Sequence, residues 1–241
     1  MGKRPEELLK IMEASAMNDR CFEHMLDFIK TGMTEIQVRE EIERVLHSLG
    51  ADDELAFPTI CVSGENSALP HGEPSDKVIK EGEFLTMDFG PKVRGYCGDM
   101  TRTVALGYVT EEMEKVYNIV LKSQLAGLAA IKAGVRGAYV DKISRDIIVE
   151  AGYGEYFPHG TGHCVGKEVH EPPWVSNRKG EEDMILEENH AVTVEPGIYI
   201  PGKFGVRIED LAIVTDFGII NTNISKLQRS EERRVGKECR S

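Results

Sequence analysis

The sequence predicts an α+β fold made of two related halves, each with two helices followed by a β-hairpin. Two observations predict it: paired helical patterns that occur twice, and one apolar-turn-apolar segment in each half. These segments are Phe84 to Thr103, FLTMDFGPKVRGYCGDMTRT, and Ala191 to Val214, AVTVEPGIYIPGKFGVRIEDLAIV. The repeated order predicts two pseudo-symmetric αα-plus-hairpin halves whose hairpins meet at the centre of the molecule.

The first half begins with two predicted helices. Apolar residues recur at helical spacing from about Pro5 to Lys30, and Gly32 follows as a stop. Thr34 and Gln37 have the spacing of a capping box, which opens a second helix that ends at Gly50. The next segment, FPTICVS, is rich in β-branched residues and predicts a strand, and a loop rich in Gly, Asn and Pro leads from it to the first hairpin.

The second half repeats this plan. Glu111 to Lys132 has the spacing of a long amphipathic helix, and Gly134 ends it. The segments from Thr31 to Gly50 and from Ala133 to Gly152 are equally long, with Gly at the second and last positions and Val at the eighth. Their identity is low enough for two unrelated helices, but the hairpin that follows each of them favours a repeat.

The first hairpin carries two aspartates placed symmetrically about its turn. If the chain reverses near Val93 and Arg94, Asp88 lies directly opposite Asp99. Directly opposed residues have Cβ atoms about 5 Å apart on one face of a sheet. Two bare carboxylates that close repel each other unless one is protonated or a cation lies between them. A bound metal ion explains such a pair most simply.

The second hairpin has the same arrangement, with Glu195 and Glu209 symmetric about Gly202. Two opposed carboxylate pairs and one imidazole would form an oxygen-rich site that favours Mn²⁺, Co²⁺ or Fe²⁺ over a thiolate zinc site. In the alternative interpretation, each acid only forms an ion pair with Arg102 or Arg207. The repetition of the pattern favours the metal site.

The histidines differ in what they predict. His159 is interpreted as a hydrogen-bonded structural residue. His163 and His170 would lie on opposite faces of one regular strand, so they share a cavity only if the chain bends between them, which Gly166 permits. His71 lies in a loop just before the first hairpin, and loops of this kind commonly carry functional residues.

Composition argues against several classes of function. The net charge of −12 argues against nucleic acid or an anionic membrane as the main partner. No apolar run reaches about 18 residues, and the first residues lack an apolar signal core, so we expect no membrane span, no export and a cytoplasmic location. The 5 cysteines are scattered without a CxxC pair, which argues against a disulfide framework or a thiolate zinc site.

The sequence predicts one domain over residues 1–228. The remaining residues, 229–241, read RSEERRVGKECRS, and they are mostly charged and do not extend the preceding apolar pattern. They look like a translated sequencing adapter, so we interpret them as a non-native tail.

The acidic residues and His163 resemble, in order and context, the metal ligands of the pita-bread metallopeptidases. This family comprises methionine aminopeptidase, Xaa-Pro aminopeptidase and prolidase, and the resemblance covers roughly residues 4–228. The matching positions are Asp88 in MDFG, Asp99 in GDMTRT, His163 in HGTGH, Glu195 in VEPG and Glu209 in RIED. The resemblance implies the pita-bread fold around a curved antiparallel sheet. It also implies two divalent metal ions, Mn²⁺ or Co²⁺ foremost, with Fe²⁺ or Zn²⁺ as alternatives.

The resemblance implies a mechanism as well. A hydroxide that bridges the two metal ions would attack the scissile carbonyl, and Glu195 would take up the proton. His71 and His170 resemble the pocket histidines of the family, which hold the substrate and stabilise the tetrahedral intermediate or pass a proton to the leaving amine. Arg207 and Tyr96 would support the ligands through hydrogen bonds.

Within the family, three segments look like the Xaa-Pro branch. They are SGENSALPHGEPSD, GHCVGKEVHEPP and the short spacer between Glu195 and Glu209. Peptides are therefore the expected substrates, and the bond before proline is the expected cleavage site. The alternatives are methionine aminopeptidase, which this chain resembles in length, and a peptide-binding relative without catalysis.

The sequence also departs from the family pattern. Members usually have Gly and an apolar residue where Cys164 and Lys167 stand, at the expected floor of the substrate pocket. Xaa-Pro members carry an N-terminal domain that shapes the pocket and helps dimerisation, and this chain starts where the catalytic domain would start. A fragment, a single-domain relative and a homodimer are therefore all open expectations.

Overall fold

A computed structural model describes residues 2–224, which form an α+β fold. The α-helices of this part are Pro5–Phe28 (α1), Glu35–Ser48 (α2), Glu111–Ala130 (α3) and Gly137–Glu150 (α4). The strands of the first half are Ile60–Ser63 (β1), Phe84–Phe89 (β2), Lys92–Val93 (β3), Tyr96–Cys97 (β4) and Met100–Ala105 (β5). Those of the second are Gly162–Cys164 (β6), Glu171–Val175 (β7), Ala191–Val194 (β8), Gly197–Ile200 (β9), Phe204–Arg207 (β10), Asp210–Thr215 (β11) and Gly218–Asn221 (β12).

The order of elements confirms the predicted repeat of two helices followed by a hairpin. The start of α2 also follows the prediction, because the Thr34 side chain accepts a hydrogen bond from Gln37 N and the Gln37 side chain accepts one from Thr34 N. The first predicted strand is shorter than expected and begins only at Ile60. The tail predicted at 229–241, and with it the end of the predicted domain, lies outside the described residues.

The first hairpin has a different register from the one predicted. Its turn is centred on Arg94 and Gly95, whose φ angles of 50° and 77° are both left-handed, as a two-residue hairpin turn requires. The pairing moves by two residues, so Asp88 lies opposite Thr101 and not opposite Asp99. A shift of two residues keeps side chains on the same face, because side chains alternate along a strand. The prediction of direct opposition was therefore wrong, but both aspartates still reach the same cavity.

The second hairpin has the predicted register. β9 pairs with β10 so that Arg207 faces Gly197, and β8 pairs with β11 so that Asp210 faces Val194. The same register on both sides of the short break sets Glu195 opposite Glu209. The two glutamates therefore sit where the hairpin leaves one pair of strands and enters the next.

The two hairpins meet at the predicted central position. Glu209 N donates to Thr101 O at 3.1 Å, and Thr103 Oγ1 donates to Arg207 O at 2.9 Å. All strand pairings of residues 2–224 are antiparallel. Because these contacts join β5 to the end of β10, the acidic residues of both hairpins come together at one junction.

Each half buries its own apolar core between its helices and its strands. In the first half, α1 and α2 pack on the sheet through a cluster that includes Phe22, Ile42 and Met87. In the second half, α3 and α4 pack on β8 and β11 through a cluster that includes Leu128 and Val194. The helices thus cover the outer faces of the strands, and the junction of the hairpins is left for polar residues.

The described part contains four of the cysteines. Cys21, Cys61, Cys97 and Cys164 are buried and free of disulfides, and burial raises the pKa of Cys21 to about 12. Within residues 2–224, the helices are all too short or too polar to cross a membrane. Cys239 lies outside the described residues.

Candidate metal centre

One cavity of about 520 Å³ lies at the junction of the two hairpins. It is lined by every predicted ligand and by both predicted pocket histidines: Asp88, Asp99, His163, Glu195, Glu209, His71 and His170. Arg207 also reaches it. The structure therefore brings the five predicted ligands and the two predicted pocket histidines together from four separate segments of the chain.

Three of these residues form the most compact group. One ligand atom each from Asp99, His163 and Glu209 lies within 4.8 Å of the other two. All three are buried, and His163 Nε2 lies 3.7 Å from Asp99 Oδ2. Carboxylate and imidazole atoms this close together can bind one divalent cation between them.

Glu195 extends the group, and it lies beside the same imidazole nitrogen as Asp99. Its Oε1 lies 3.2 Å from His163 Nε2. Burial opposes ionisation of Glu195, but the hydrogen bond and charge of His163 outweigh it and lower the pKa of this carboxyl. The other nitrogen of the ring, Nδ1, lies 3.1 Å from the Cys164 carbonyl, so the ring donates there and leaves Nε2 facing the carboxylates.

Asp88 has a cation beside it. Arg207 Nη2 donates to Asp88 Oδ2 at 2.7 Å, and the same guanidinium donates to the Thr101 hydroxyl and to the Pro70 carbonyl. The ion-pair interpretation is thus correct for one oxygen of Asp88. It is wrong for Arg102, which pairs with Asp210 at 2.7 Å instead of with one of the four predicted acidic ligands.

The remaining acids carry an unfavourable concentration of negative charge. Burial, followed by the nearby Glu209 and Asp88, raises the pKa of Asp99 well above its usual range. Burial, followed by Glu195 and Asp88, has the same effect on the pKa of Glu209. Two arginines and six carboxylates are among the described residues that line this cavity, so negative charge is in excess there.

Two oxygen atoms provide a direct test of whether a cation fits. Asp88 Oδ1 and Glu209 Oε1 are buried, and no hydrogen-bond donor among residues 2–224 reaches either of them. Buried polar atoms normally have partners, so each such atom needs an explanation. A cation bound by these oxygens would supply it, and the donor set of carboxylates and one imidazole suits Mn²⁺ or Co²⁺.

The two predicted pocket histidines lie against this group of acids. The rings of His170 and His163 are 4.3 Å apart, centre to centre, and meet edge to face. This contact needs the chain to reverse between β6 and β7, and it does so through a turn in which Gly166 N donates to Glu168 O. Burial and the neighbouring His163 lower the pKa of His170, so its ring is neutral at pH 7. His71 reaches the cavity from the loop after β1.

Hydrogen-bonding partners of the site were predicted less well. The Tyr96 hydroxyl donates to Glu7 at 2.6 Å and does not line the cavity, so its predicted role was wrong. The tyrosine next to Arg207 is Tyr199, whose hydroxyl accepts from Arg207 Nη1 at 2.9 Å. Nothing in the sequence singles out Tyr199 except that it faces Gly205, which leaves room for its ring.

The Thr101 hydroxyl is a second partner that sequence reasoning missed. It donates to Glu209 Oε2 at 2.7 Å and accepts from Arg207 Nε at 3.0 Å. The signal was available, because Thr101 lies two residues after Asp99 and so shares its face of the strand.

His159 has the structural role that the sequence predicted, although it lies at the cavity. Its Nε2 lies 2.8 Å from the Tyr199 hydroxyl and its Nδ1 lies 2.8 Å from Gly160 O. Both ring nitrogens therefore have partners within the protein.

The two departures from the family pattern lie away from the pocket floor. Cys164 is buried and packs in the core of the second half with Val140 and Val192. Lys167 is exposed in the turn between β6 and β7. Neither belongs to the described residues that line the cavity, so the expectation that they form its floor was wrong.

Comparisons with known proteins agree with this fold. The sequence profile of metallopeptidase family M24 matches residues 10–216. The solved Xaa-Pro dipeptidase from Bacillus anthracis is 48% identical, with a TM-score of 0.91 over 94% of this chain and 62% of that protein. The X-Pro aminopeptidase from Thermotoga maritima is 42% identical, with a TM-score of 0.89 over 95% of this chain and 64% of that protein.

A curated relative gives the same result from sequence alone. An uncharacterized peptidase from Bacillus subtilis is 46% identical over 216 residues, which cover 90% of this chain and 60% of the relative. This chain therefore spans about three fifths of the length of the relatives that it matches. The structural matches confirm the predicted pita-bread fold. On the profile match and these identities together, the chain is a member of metallopeptidase family M24.

Proposed function

We propose that this chain is the catalytic part of a metal-dependent exopeptidase that cleaves Xaa-Pro bonds near the N-terminus of peptides. The observation that carries the proposal is the convergence of all seven predicted site residues on one cavity that contains two unpaired buried carboxylate oxygens. The similar solved proteins are named Xaa-Pro dipeptidase, X-Pro aminopeptidase and prolidase, which supports the same substrate class.

The proposed ligands are Asp88, Asp99, His163, Glu195 and Glu209. Two divalent cations held by these residues would lower the pKa of water and polarise a peptide carbonyl. Asp88 Oδ1 and Glu209 Oε1 are free to bind because their sister oxygens are already hydrogen-bonded, to Arg207 and Thr101 respectively. These hydrogen bonds fix the two carboxylates in orientation, as supporting residues of metal ligands commonly do.

The protein groups also provide the proton transfers that hydrolysis needs. As a proposed metal ligand Glu195 would be ionised, so it can accept the proton of the attacking water. His170 is neutral at pH 7 and beside His163, where it can donate a hydrogen bond to the developing oxyanion. His71 enters from the opposite half of the molecule and can pass a proton to the leaving amine.

The walls of the cavity fit a proline ring. They include the apolar side chains of Phe57, Pro58, Pro70, Val169 and Trp174. The nitrogen of an Xaa-Pro bond carries no N–H, so a proline pocket needs apolar contact more than an extra acceptor. Methionine selection needs a long apolar slot instead, so a comparison of peptide substrates distinguishes the two activities.

Substrate preference tests the proposed activity. We expect Mn²⁺-loaded or Co²⁺-loaded protein to cleave Ala-Pro or Ala-Pro-Ala faster than Met-Ala-Ser, with Ala-Ala-Ala as a control for general aminopeptidase activity. The cleavage rate of each peptide is measured by chromatography of the released N-terminal residue. Faster cleavage of Met-Ala-Ser would favour methionine aminopeptidase. Inactivity on every peptide, with metal bound, would favour the peptide-binding alternative.

The pocket histidines give a second prediction. We expect His71→Ala and His170→Ala each to lower turnover of Ala-Pro-Ala by roughly 10²-fold, the effect typical of a positioned acid, base or oxyanion donor. Metal content should remain near that of the wild type, because neither residue is a proposed ligand. His24→Ala is the matched control, since His24 lies at the surface beside Glu41 and should be replaceable without loss of turnover. Loss of metal in either pocket variant would instead make that histidine a ligand.

A further inference from the structure

Glu35 is a completely buried acid that lies outside the metal centre. Its exposed fraction is 0%, and it is the first residue of α2. Buried carboxylates are expensive unless hydrogen bonds satisfy them, so the partners of this side chain show what it does. They come from the last residue of β1 and from the loop that joins β1 to β2, and this loop carries His71.

The two carboxylate oxygens bind opposite ends of that loop. At its start, Ser63 donates to Oε1 through its backbone N at 2.7 Å and through its hydroxyl at 3.0 Å. At its end, Ser75 donates to Oε2 through its backbone N at 3.1 Å and through its hydroxyl at 2.8 Å. Asn66 Nδ2 donates to both oxygens, at 3.2 and 3.3 Å. Glu35 therefore joins the two ends of the segment between Ser63 and Ser75.

Only a carboxylate satisfies this set of partners. Every group around Glu35 is a donor, and an ionised carboxylate is the side chain that accepts through both of its oxygens, at about four lone-pair positions. A glutamine at this position would turn one acceptor into an NH₂ group that faces other donors. The position at the start of α2 favours the negative charge further, because the helix N-terminus is positive.

The backbone of α2 adds to the same attachment. Glu35 N donates to Lys77 O at 3.1 Å, and Ile36 N donates to Ser75 O at 3.2 Å. The end of the loop is therefore held by the helix N-terminus and by the carboxylate together.

The middle of the loop is held from the second half of the molecule. Arg207 Nη1 donates to Pro70 O at 3.1 Å, one residue before His71. Gly205 N donates to the Ser67 hydroxyl at 2.8 Å, and a Cβ at Gly205 would overlap the Ser67 carbonyl. The part of the loop next to His71 thus contacts the strand that carries Arg207. These contacts require that the two ends of the loop stay in place.

From these contacts we infer that Glu35 is a positioning residue for His71. It joins both ends of the 63–75 loop so that the middle of the loop presents the imidazole to the cavity. The inference rests on the proposed function, in which His71 acts on the substrate. A displacement of about 1 Å at a group that acts in the reaction can cost about 10²-fold in rate, so loss of this attachment should be visible in turnover.

The kinetic test compares Glu35→Gln in two backgrounds. In otherwise wild-type protein we expect the substitution to lower kcat for Ala-Pro-Ala by about tenfold to 10²-fold, with Mn²⁺ content unchanged. In the His71→Ala background it should lower kcat further by less than about twofold, because the group that it positions is already gone. Glu41→Gln is the matched control: it lies on the same helix, pairs with His24 and Arg44, and should change neither value. An equal loss in both backgrounds would contradict the inference.

A second measurement does not depend on activity. In metal-free protein, Glu35→Gln should speed amide hydrogen exchange across residues 63–75 and leave residues 160–166 around His163 unchanged. Glu41→Gln should change neither segment. Unchanged exchange in the loop would overturn the inference, even if kcat fell as expected. Inactivity of the wild type on every peptide would overturn the proposed function, while the exchange data alone would still decide whether Glu35 fixes the loop.

A milder variant covers the case in which Glu35→Gln does not fold. Ser75→Ala removes one hydroxyl donor from Oε2 and leaves the backbone donor in place. Its effects should be the same as those of Glu35→Gln but smaller. We expect a lower kcat in the wild-type background, almost no change of kcat in the His71→Ala background, and faster amide exchange in the loop. Identical kcat and exchange in Ser75→Ala and wild type would count against the inference.

Discussion

Replacing Asp99 with asparagine is expected to abolish metal-dependent activity while making the metal-free protein more stable. The two side chains have the same shape, so packing is kept and the charge alone is lost. Asp99 is 4% exposed and lies among Glu209, Asp88 and Glu195, which together with burial raise the pKa of its carboxyl. Loss of one proposed ligand charge should weaken Mn²⁺ binding by at least about 10²-fold.

Stability should change in the opposite direction because the repulsion among the acids falls. Removal of a charge of this kind is expected to raise the free energy of unfolding of the metal-free protein by about 1 kcal/mol. In a chain of this size that corresponds to an increase in Tm of about 2–4 °C. Calorimetric Mn²⁺ titration and thermal unfolding in chelator measure the two effects.

A surface substitution provides the control for Asp99→Asn. Asp146→Asn makes the same chemical change at a half-exposed residue of α4 that pairs with Lys142. It should leave metal binding intact and change the free energy of unfolding by less than about 0.5 kcal/mol. If Asp99→Asn bound Mn²⁺ as tightly as the wild type, Asp99 would not be a ligand.

Arg207→Met is expected to cause the largest loss of stability. The guanidinium is buried and donates to Asp88 Oδ2, the Thr101 hydroxyl, the Tyr199 hydroxyl and the Pro70 carbonyl. Removing one partner of a buried ion pair leaves an uncompensated charge, at a typical cost of about 3–5 kcal/mol. Urea unfolding in the presence of chelator measures this loss, because bound metal would otherwise stabilise the folded state of both proteins.

Two further variants show how much of the stability depends on the hydrogen-bond geometry of Arg207 and how much any arginine contributes. Arg207→Lys should recover only part of the stability, because one ammonium group cannot donate in all four directions at once. Arg94→Met removes an exposed guanidinium that pairs with Glu13, and it should cost less than about 1 kcal/mol. If Arg207→Met unfolded at the same midpoint urea concentration as the wild type, the stability of the buried acids would not depend on this cation.

The parts of the fold that sequence predicted well depend on local chemistry. The start of α2 follows from the hydrogen-bonding capacity of Thr34 and Gln37, which are three residues apart. The second hairpin kept its predicted register because its turn is centred on Gly202, whose φ is 71°. A glycine at the tip of a turn is a local signal, and it fixes every pairing that follows.

The first hairpin shows where such local reasoning ends. Its turn uses a non-glycine residue, Arg94, in the left-handed region, and side-chain chemistry gave no sign of this. The pairing therefore shifted by two residues, and Asp88 faced Thr101. The prediction that both aspartates lie at one site was still correct, because a shift by an even number of residues keeps side chains on the same face of the strand.

Contacts between distant segments were largely beyond prediction. Glu35 binds residues 28 and 40 positions away, and Arg207 reaches Pro70 from the other half of the molecule. The family resemblance implied that Tyr96 supports the ligands, yet its hydroxyl donates to Glu7. Such partners depend on how distant segments pack together in three dimensions, and no short sequence pattern encodes that packing.

The central claim is that the junction of the two hairpins holds catalytic metal ions for Xaa-Pro cleavage. Its most direct test is the hydrolysis of Ala-Pro-Ala by chelator-treated protein as Mn²⁺ is added. We expect no hydrolysis before addition, and a rise that levels off near about two equivalents of bound Mn²⁺, since the proposed centre is dinuclear. Hydrolysis that survives complete removal of metal would contradict the account, and so would a protein that binds no Mn²⁺ at this site.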